Sequence, residues 1–283
     1  MCGIGGIVYK PGAQALPQDV LDRMAAALRH RGPDGVHFAR LAQADLIHTR
    51  LSIIDLAGGD QPLTAGTGTL IANGEIYNDP QLRAQIGPEH FKTGSDCESP
   101  LRVWQREGTH YTAHLRGMYA IALYDSAKNE LLLSRDPFGI KPLHLTEFSG
   151  GIAFASEPEV LLAAGLSPRT LNTQARTELL QIQFTTGRNT IFEGIDRVLP
   201  GETIRIVHGS IVERQTRPAL PAVTRPLPRL SEEQALKQLD HAIMDSVQAH
   251  ERADVPFGLL LSGGIDSATL PTAIHRLPRT AHL

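Results

Sequence analysis

The sequence predicts an α+β protein built from layered sheets. Through about the first 210 residues, short strand-like runs outnumber helix-period stretches. The two kinds do not alternate in the regular βαβ order that a doubly wound parallel sheet requires. A proline-rich break then separates this region from a shorter segment with a different pattern. The expected division is residues 2–213 as a first domain, 214–230 as a linker and 231–283 as the opening of a second domain.

The strand signals fall at residues 3–9, 46–54, 69–72, 119–124, 130–134, 152–155 and 203–207, where β-branched and aliphatic residues cluster. Between them, Val20, Leu21, Met24 and Leu28 recur at helical spacing after Pro17, and Arg31-Gly32-Pro33 closes that helix. A second helix is expected over residues 100–114. In the linker, Pro218, Pro221, Pro226 and Pro228 stand among Thr and Arg without periodicity. Ser231-Glu232-Glu233-Gln234 then forms a capping box, and Leu236, Leu239, Ile243 and Val247 mark one face of a helix reaching to about residue 252. Residues 255–261 form a dense apolar run, expected to be a strand buried on both faces of a parallel sheet. The 53 residues from Ser231 hold too few elements to close such a sheet, so a truncated domain is expected.

Composition narrows the partners. Of 283 residues, 41% are hydrophobic and 20% charged, and the net charge is only −3. With no run of five like charges, nucleic acid and membrane headgroups are not expected partners, and small molecules are. The longest apolar runs fall far short of the ~20 residues that span a bilayer. No basic segment precedes an apolar stretch at the N-terminus, so the cytoplasm is expected. The two cysteines, Cys2 and Cys97, are better read as thiols than as a bridge. Cys97, between Asp96 and Glu98, reads as a small packing residue.

Cys2 is the sharpest chemical feature. Cleavage after Met1 would leave one residue carrying both a thiol and a free α-amine. An α-amine titrates near ~7.7–8.0, so a neutral fraction is available at pH 7 to take the thiol proton without a histidine. Gly3, Gly5 and Gly6 would let that strand pass close to a ligand.

Five motifs then carry a resemblance: Met1-Cys2-Gly3-Ile4-Gly5-Gly6, Arg29-His30-Arg31-Gly32-Pro33-Asp34-Gly35, Thr49-Arg50-Leu51-Ser52-Ile53-Ile54-Asp55, Asn73-Gly74-Glu75-Ile76-Tyr77-Asn78 and Thr93-Gly94-Ser95-Asp96-Cys97-Glu98. Together with residues 135–143, 154–157 and 199–202, they resemble the class II, N-terminal-nucleophile glutamine amidotransferases, and among these the glutamine-hydrolysing asparagine synthetase family. The resemblance implies a four-layer αββα sandwich followed by the start of an α/β ATP-pyrophosphatase-like domain. It implies Cys2 as nucleophile, with Asn73 and Gly74 as oxyanion donors. It also implies a glutamine pocket of Arg50, Ile53, Ile54, Asn73, Glu75 and Asp96, in which Arg50 takes the α-carboxylate and Glu75 and Asp96 the α-ammonium. The Arg31-Gly32-Pro33-Asp34-Gly35 turn is expected to be structural support, and a homodimer is implied.

Ser262-Gly263-Gly264-Ile265-Asp266-Ser267 places two glycines and two hydroxyls ahead of a helix, a setting in which backbone N–H groups face an anion. It lacks the ending of a Walker loop. It resembles the pyrophosphate loop of adenylating ligases, which implies ATP binding through Leu261, Ser262, Gly263, Gly264, Asp266 and Ser267, with Mg2+ as cofactor and aspartate as co-substrate. Pro271 is expected to disturb the helix behind this loop. His110 and His114 have i, i+4 spacing, but no motif supports a metal site there, and none is expected. Amide transfer to another acceptor, or a non-catalytic remnant, are the alternatives left open.

Overall fold

The computed structural model describes residues 1–220, 222 and 229–277. It divides into two units: Met1–Ser52 with Ala57–Ala219, and Ile53–Leu56 with the residues from Leu220 onward.

The first unit contains, in chain order, β1 (Gly3–Tyr9), α1 (Gln18–Leu28), β2 (Gly35–Arg40), β3 (Ala44–Arg50), β4 (Leu63–Ala65), β5 (Gly68–Ile76), α2 (Asp79–Ile86), α3 (Glu98–Glu107), β6 (Gly117–Asp125), β7 (Glu130–Arg135), β8 (His144–Phe148), β9 (Gly151–Ala155), α4 (Pro158–Ala163), α5 (Thr173–Ile182), β10 (Ile195–Arg197), β11 (Glu202–Val207) and β12 (Ser210–Thr216). The strands form two antiparallel six-stranded sheets, ordered β10-β8-β9-β1-β3-β2 and β12-β11-β7-β6-β5-β4.

Side-chain alternation along the strands builds the layers. On β1, Ile4 and Val8 face the second sheet, whereas Ile7 and Tyr9 face α1 and α4. On β5, Ile71 faces the first sheet, whereas Leu70, Ala72 and Ile76 face α2 and α3. A core of Ile4, Leu46, Ile71, Leu133, Phe154 and Ile204 seals the two sheets together. The result is the four-layer αββα sandwich. β1 is buried along its whole length at the centre of its sheet, so its first residues are held rigidly.

Several expectations shift. The strand expected over 46–54 ends at Arg50 because the next two N–H groups go to side chains rather than to a ladder. Leu51 donates to Cys2 Sγ at 3.3 Å and Ser52 to Asp34 Oδ2 at 2.8 Å. The helix expected over 100–114 begins at Glu98 and stops at Glu107, where Gly108 takes φ +58. His110 and His114 follow in a 3-10 turn, whose spacing does not put them on one α-helical face. β12 runs to Thr216, into the expected linker, by pairing with β11. Residues 221 and 223–228 of that linker, including Pro221, Pro226 and Pro228, lie outside the described residues.

In the second unit, Ser231 and Gln234 close the capping box on α6 (Glu232–His250), and Arg276 of α7 (Ile265–Arg276) donates to both Asp240 oxygens at 2.6 and 2.9 Å. Residues 255–261 are not a strand, and Leu260 is fully exposed. A strand takes its backbone bonds from a neighbour, and no described segment supplies one. α7 continues through Pro271, and its first turn stays bonded from Ala268 N to Gly264 O at 3.0 Å. No helix among the described residues is long and apolar enough to cross a membrane.

Candidate active site

Antiparallel pairing brings the start of β1 beside the end of β3, with Gly3 opposite Thr49. Alternation then aims Cys2, two residues before Ile4, into the space between the sheets, and aims Arg50 from β3 and Asn73 from β5 to the same side as Leu46 and Ile71.

Three chain segments converge on Cys2. Its Sγ accepts from Leu51 N–H at 3.3 Å and approaches Leu51 O at 3.6 Å. Its carbonyl accepts from Arg31 Nε at 3.0 Å; with the Asn73 amide assigned the orientation that suits its neighbours, its nitrogen donates to the same carbonyl at 3.1 Å and its oxygen accepts from Arg31 Nη2 at 3.2 Å. Arg31 Nη1 pairs with Glu157 Oε1 at 2.6 Å, and His30 Nε2 lies 3.1 Å from the other Glu157 oxygen. Burial pushes the Glu157 carboxyl up, but the Arg31 and His30 partners outweigh it and hold the group below its ordinary value. Arg31 is therefore a clamp joining Cys2, Asn73 and Glu157. Sequence reasoning assigned its turn only a supporting part, because partners distant in sequence carry no local signal.

Electrostatics at Cys2 run in both directions. Burial raises the thiol pKa, while the Leu51 N–H, the amino terminus, Arg50 and Lys141 pull it down. The terminal amine, here on Met1, is lowered first by burial, with Arg31 and Lys141 lowering it further. Lys141 was not singled out from sequence. It is 5% exposed, with Nζ 3.2 Å from Met1 Sδ. Its loop is wound around buried Asp136, which accepts from the N–H groups of Phe138, Ile140 and Lys141.

The other expected residues are placed as follows. Gly74 lies flush against β6, where an added Cβ would stand 2.3 Å from Met118 O, so only glycine fits. Glu75 is partly buried near the end of β5, close enough for its charge to favour the Lys141 ammonium. Asp96 is buried and accepts from Ile76 N–H at 2.6 Å. The segment before α3 folds around Glu98, which accepts from the N–H groups of Lys92 and Thr93, and this fixes Asp96 against the end of β5. Cys97 packs in the adjoining core, where burial takes its thiol well above the ordinary range. Arg50 Nη1 pairs with Asp60 Oδ1 at 2.7 Å. Ile53 and Ile54 group with the second unit, not with the first.

Within the second unit, Gly263 takes φ +81 with open space around it, and the Ser262 and Ser267 hydroxyls lie 3.0 Å apart at the start of α7. Ser267 Oγ donates to Gly264 O at 3.0 Å, and Gly264 N–H donates to Ser262 Oγ at 3.4 Å. Leu261 is exposed.

Comparison with known proteins agrees with this geometry. The family described as "Glutamine amidotransferase domain" matches residues 1–216, and "Asparagine synthase" matches residues 238–280. Asparagine synthetase [glutamine-hydrolyzing] 1 of Bacillus subtilis is 34% identical over 95% of this chain and 43% of its own length. Asparagine synthetase B [glutamine-hydrolyzing] of Escherichia coli is 35% identical over 95% of this chain and 44% of its own. The chain thus spans less than half the length of these relatives. Among solved structures, glutamine phosphoribosylpyrophosphate amidotransferase from B. subtilis shares the fold, with a TM-score of 0.56 at 17% identity, covering 97% of this chain and 64% of that one. A buried N-terminal cysteine strand, two facing antiparallel sheets and the matched residues 1–216 show that the chain belongs to the class II glutamine amidotransferase family.

Proposed function

We propose that this chain hydrolyses glutamine at Cys2, and that the ammonia serves the ATP-dependent conversion of aspartate to asparagine by a glutamine-hydrolysing asparagine synthetase. The observation that carries the proposal is the convergence of Cys2, Arg31 and Asn73 at one end of the facing sheets.

With Met1 removed, the Cys2 α-amine takes the thiol proton and the thiolate attacks the glutamine side-chain carbonyl carbon. The C–N bond breaks, ammonia leaves with the proton held by the amine, and a glutamyl thioester remains. Water then attacks that thioester, releasing glutamate and restoring the thiol. An amide nitrogen has two hydrogens. The Asn73 nitrogen uses one on Cys2 O, which leaves the other for the developing oxyanion beside the Gly74 N–H. Each such donor is worth about 2.7–4 kcal/mol of barrier. Arg50 takes the α-carboxylate as a planar fork, and Glu75 and Asp96 take the α-ammonium.

The loop from Ser262 to Ser267 fits a pyrophosphate, because its glycine backbone is unobstructed and leads into a helix N-terminus. Mg2+ would neutralise phosphate charge there. Among the described residues no group of three His, Cys, Asp or Glu stands ready to hold a metal ion by itself, and a Mg2+ of this kind would be held by one or two carboxylates, Asp266 being the one this loop offers, together with the phosphate oxygens.

The test is glutamate release from glutamine by the Met1-processed chain beside Cys2→Ala, with and without ATP and aspartate. Turnover is expected to vanish in the variant. A folded, processed chain that releases no glutamate refutes the proposal and leaves a non-catalytic remnant.

A further inference from the structure

Arg50 is 6% exposed, and a guanidinium withdrawn from water needs an anion beside it. Asp60 supplies one, its Oδ1 lying 2.7 Å from Arg50 Nη1. The partners are unequal: the Arg50 side chain is 8% exposed and that of Asp60 is 55% exposed. Asp60 can return to water cheaply, whereas Arg50 cannot. Its neighbour Gln61 is held in place, buried and accepting from Ala72 N–H on β5 at 2.6 Å. Release of Asp60 is therefore a rotation of one side chain and not a movement of the segment. His37 Nε2 on β2 lies 3.5 Å from the same Asp60 oxygen and offers the freed carboxylate another partner. On the inner side stands His48, fully buried. Burial first, then the nearby His37 and Arg50, brings its pKa down to about 3, so a neutral ring and not a competing ion borders Arg50 there.

We propose that Asp60 is an internal competitor for the α-carboxylate subsite of Arg50, occupying it until glutamine displaces it, and is thereby a specificity-determining residue that sets the affinity for glutamine. The inference rests on Arg50 being the residue that takes the substrate's α-carboxylate. Two carboxylates at one guanidinium repel each other, so the substrate and Asp60 compete for Arg50. A ligand whose α-carboxylate is replaced by a neutral carboxamide has no charge with which to displace Asp60.

The experiment is calorimetric titration of glutamine and of glutaminamide into the processed chain carrying Cys2→Ala, alone and combined with Asp60→Asn or Asp60→Ala. Binding is read without turnover, so failure of glutamine hydrolysis in the Cys2 chain leaves this measurement intact. Removing the Asp60 charge is expected to tighten glutamine by about two- to fivefold, the scale of a half-exposed ion pair, and to leave glutaminamide no tighter. Equal gains for both ligands would mean that the pocket had simply opened. That result, unchanged or weaker glutamine binding in both variants, or no glutamine binding in any, overturns the proposal.

Discussion

Replacing Gly32 by alanine tests whether the Arg31 clamp is held by backbone contact. A Cβ at Gly32 would stand 2.3 Å from both the carbonyl carbon and the oxygen of Thr49, and 2.5 Å from Arg50 N. Those atoms belong to β3, which is bonded to β1 on one side and β2 on the other and cannot yield. The turn must move instead. Side chains do not approach below 3.0 Å, so the shift is at least about 0.7 Å, applied next to Arg31 and opposed by the bond from Asp34 N–H to Arg50 O. A misplacement near 1 Å costs roughly 100-fold in rate. Overpacking of this kind costs about 1–3 kcal/mol of stability, which lowers the melting temperature of a domain this size by about 2–12 °C. Glutamate release and thermal unfolding should be measured beside Gly258→Ala, where the added Cβ meets open space. A Gly32→Ala chain with unchanged kcat and melting temperature would show that the turn neither touches β3 this closely nor positions Arg31.

Two other outcomes follow from the electrostatics. The Lys141 ammonium lowers both the Cys2 thiol and the terminal amine. Lys141→Met should raise both and move the acidic limb of the kcat/KM profile to higher pH, with turnover recovering in alkaline buffer; an unmoved limb would exclude this influence. Glu202 is fully buried and accepts from Arg188 at 2.8 and 3.0 Å and from Leu199 N–H at 2.7 Å. Burial raises its pKa, but these partners outweigh it, and the net value lies below the ordinary 4.5. Its contribution is present above pH 4.5 and is lost as pH falls through the lower folded value. Glu202→Gln should therefore cost about 1.5–3 kcal/mol at neutral pH, with the gap to the parent chain closing in acid unfolding experiments below 4.5. A gap that persists there would show that shape and not charge sets the cost.

Legibility in the sequence tracked burial. β1 spans Gly3–Tyr9, matching its apolar run, because a central strand is covered on both faces and its side chains announce it. β2, β4, β8, β10 and β12 gave no usable signal. β2, β4, β10 and β12 close the sheets at their edges. β12, Ser210–Thr216, is largely exposed, so nothing in its composition required alternation. Residues 255–261 show the converse error: an apolar run sufficient for a buried strand forms none where no described neighbour offers a ladder.

Chemistry followed the same division. Cys2 beside Met1 and the Ser231 capping box were legible from residues adjacent in sequence, since each depends on chemistry carried within a few positions, whereas the Asn73-Gly74 pair came from the family resemblance. That Arg31 would grip the Cys2 carbonyl and Glu157, that Lys141 would border Cys2, and that Asp60 would sit on Arg50 were decided by the tertiary structure alone. The physical reason is strand register. Periodicity states which residues share a face, but only the pairing of β1 with β3, and the packing of one sheet on the other, decides which faces meet and at which end.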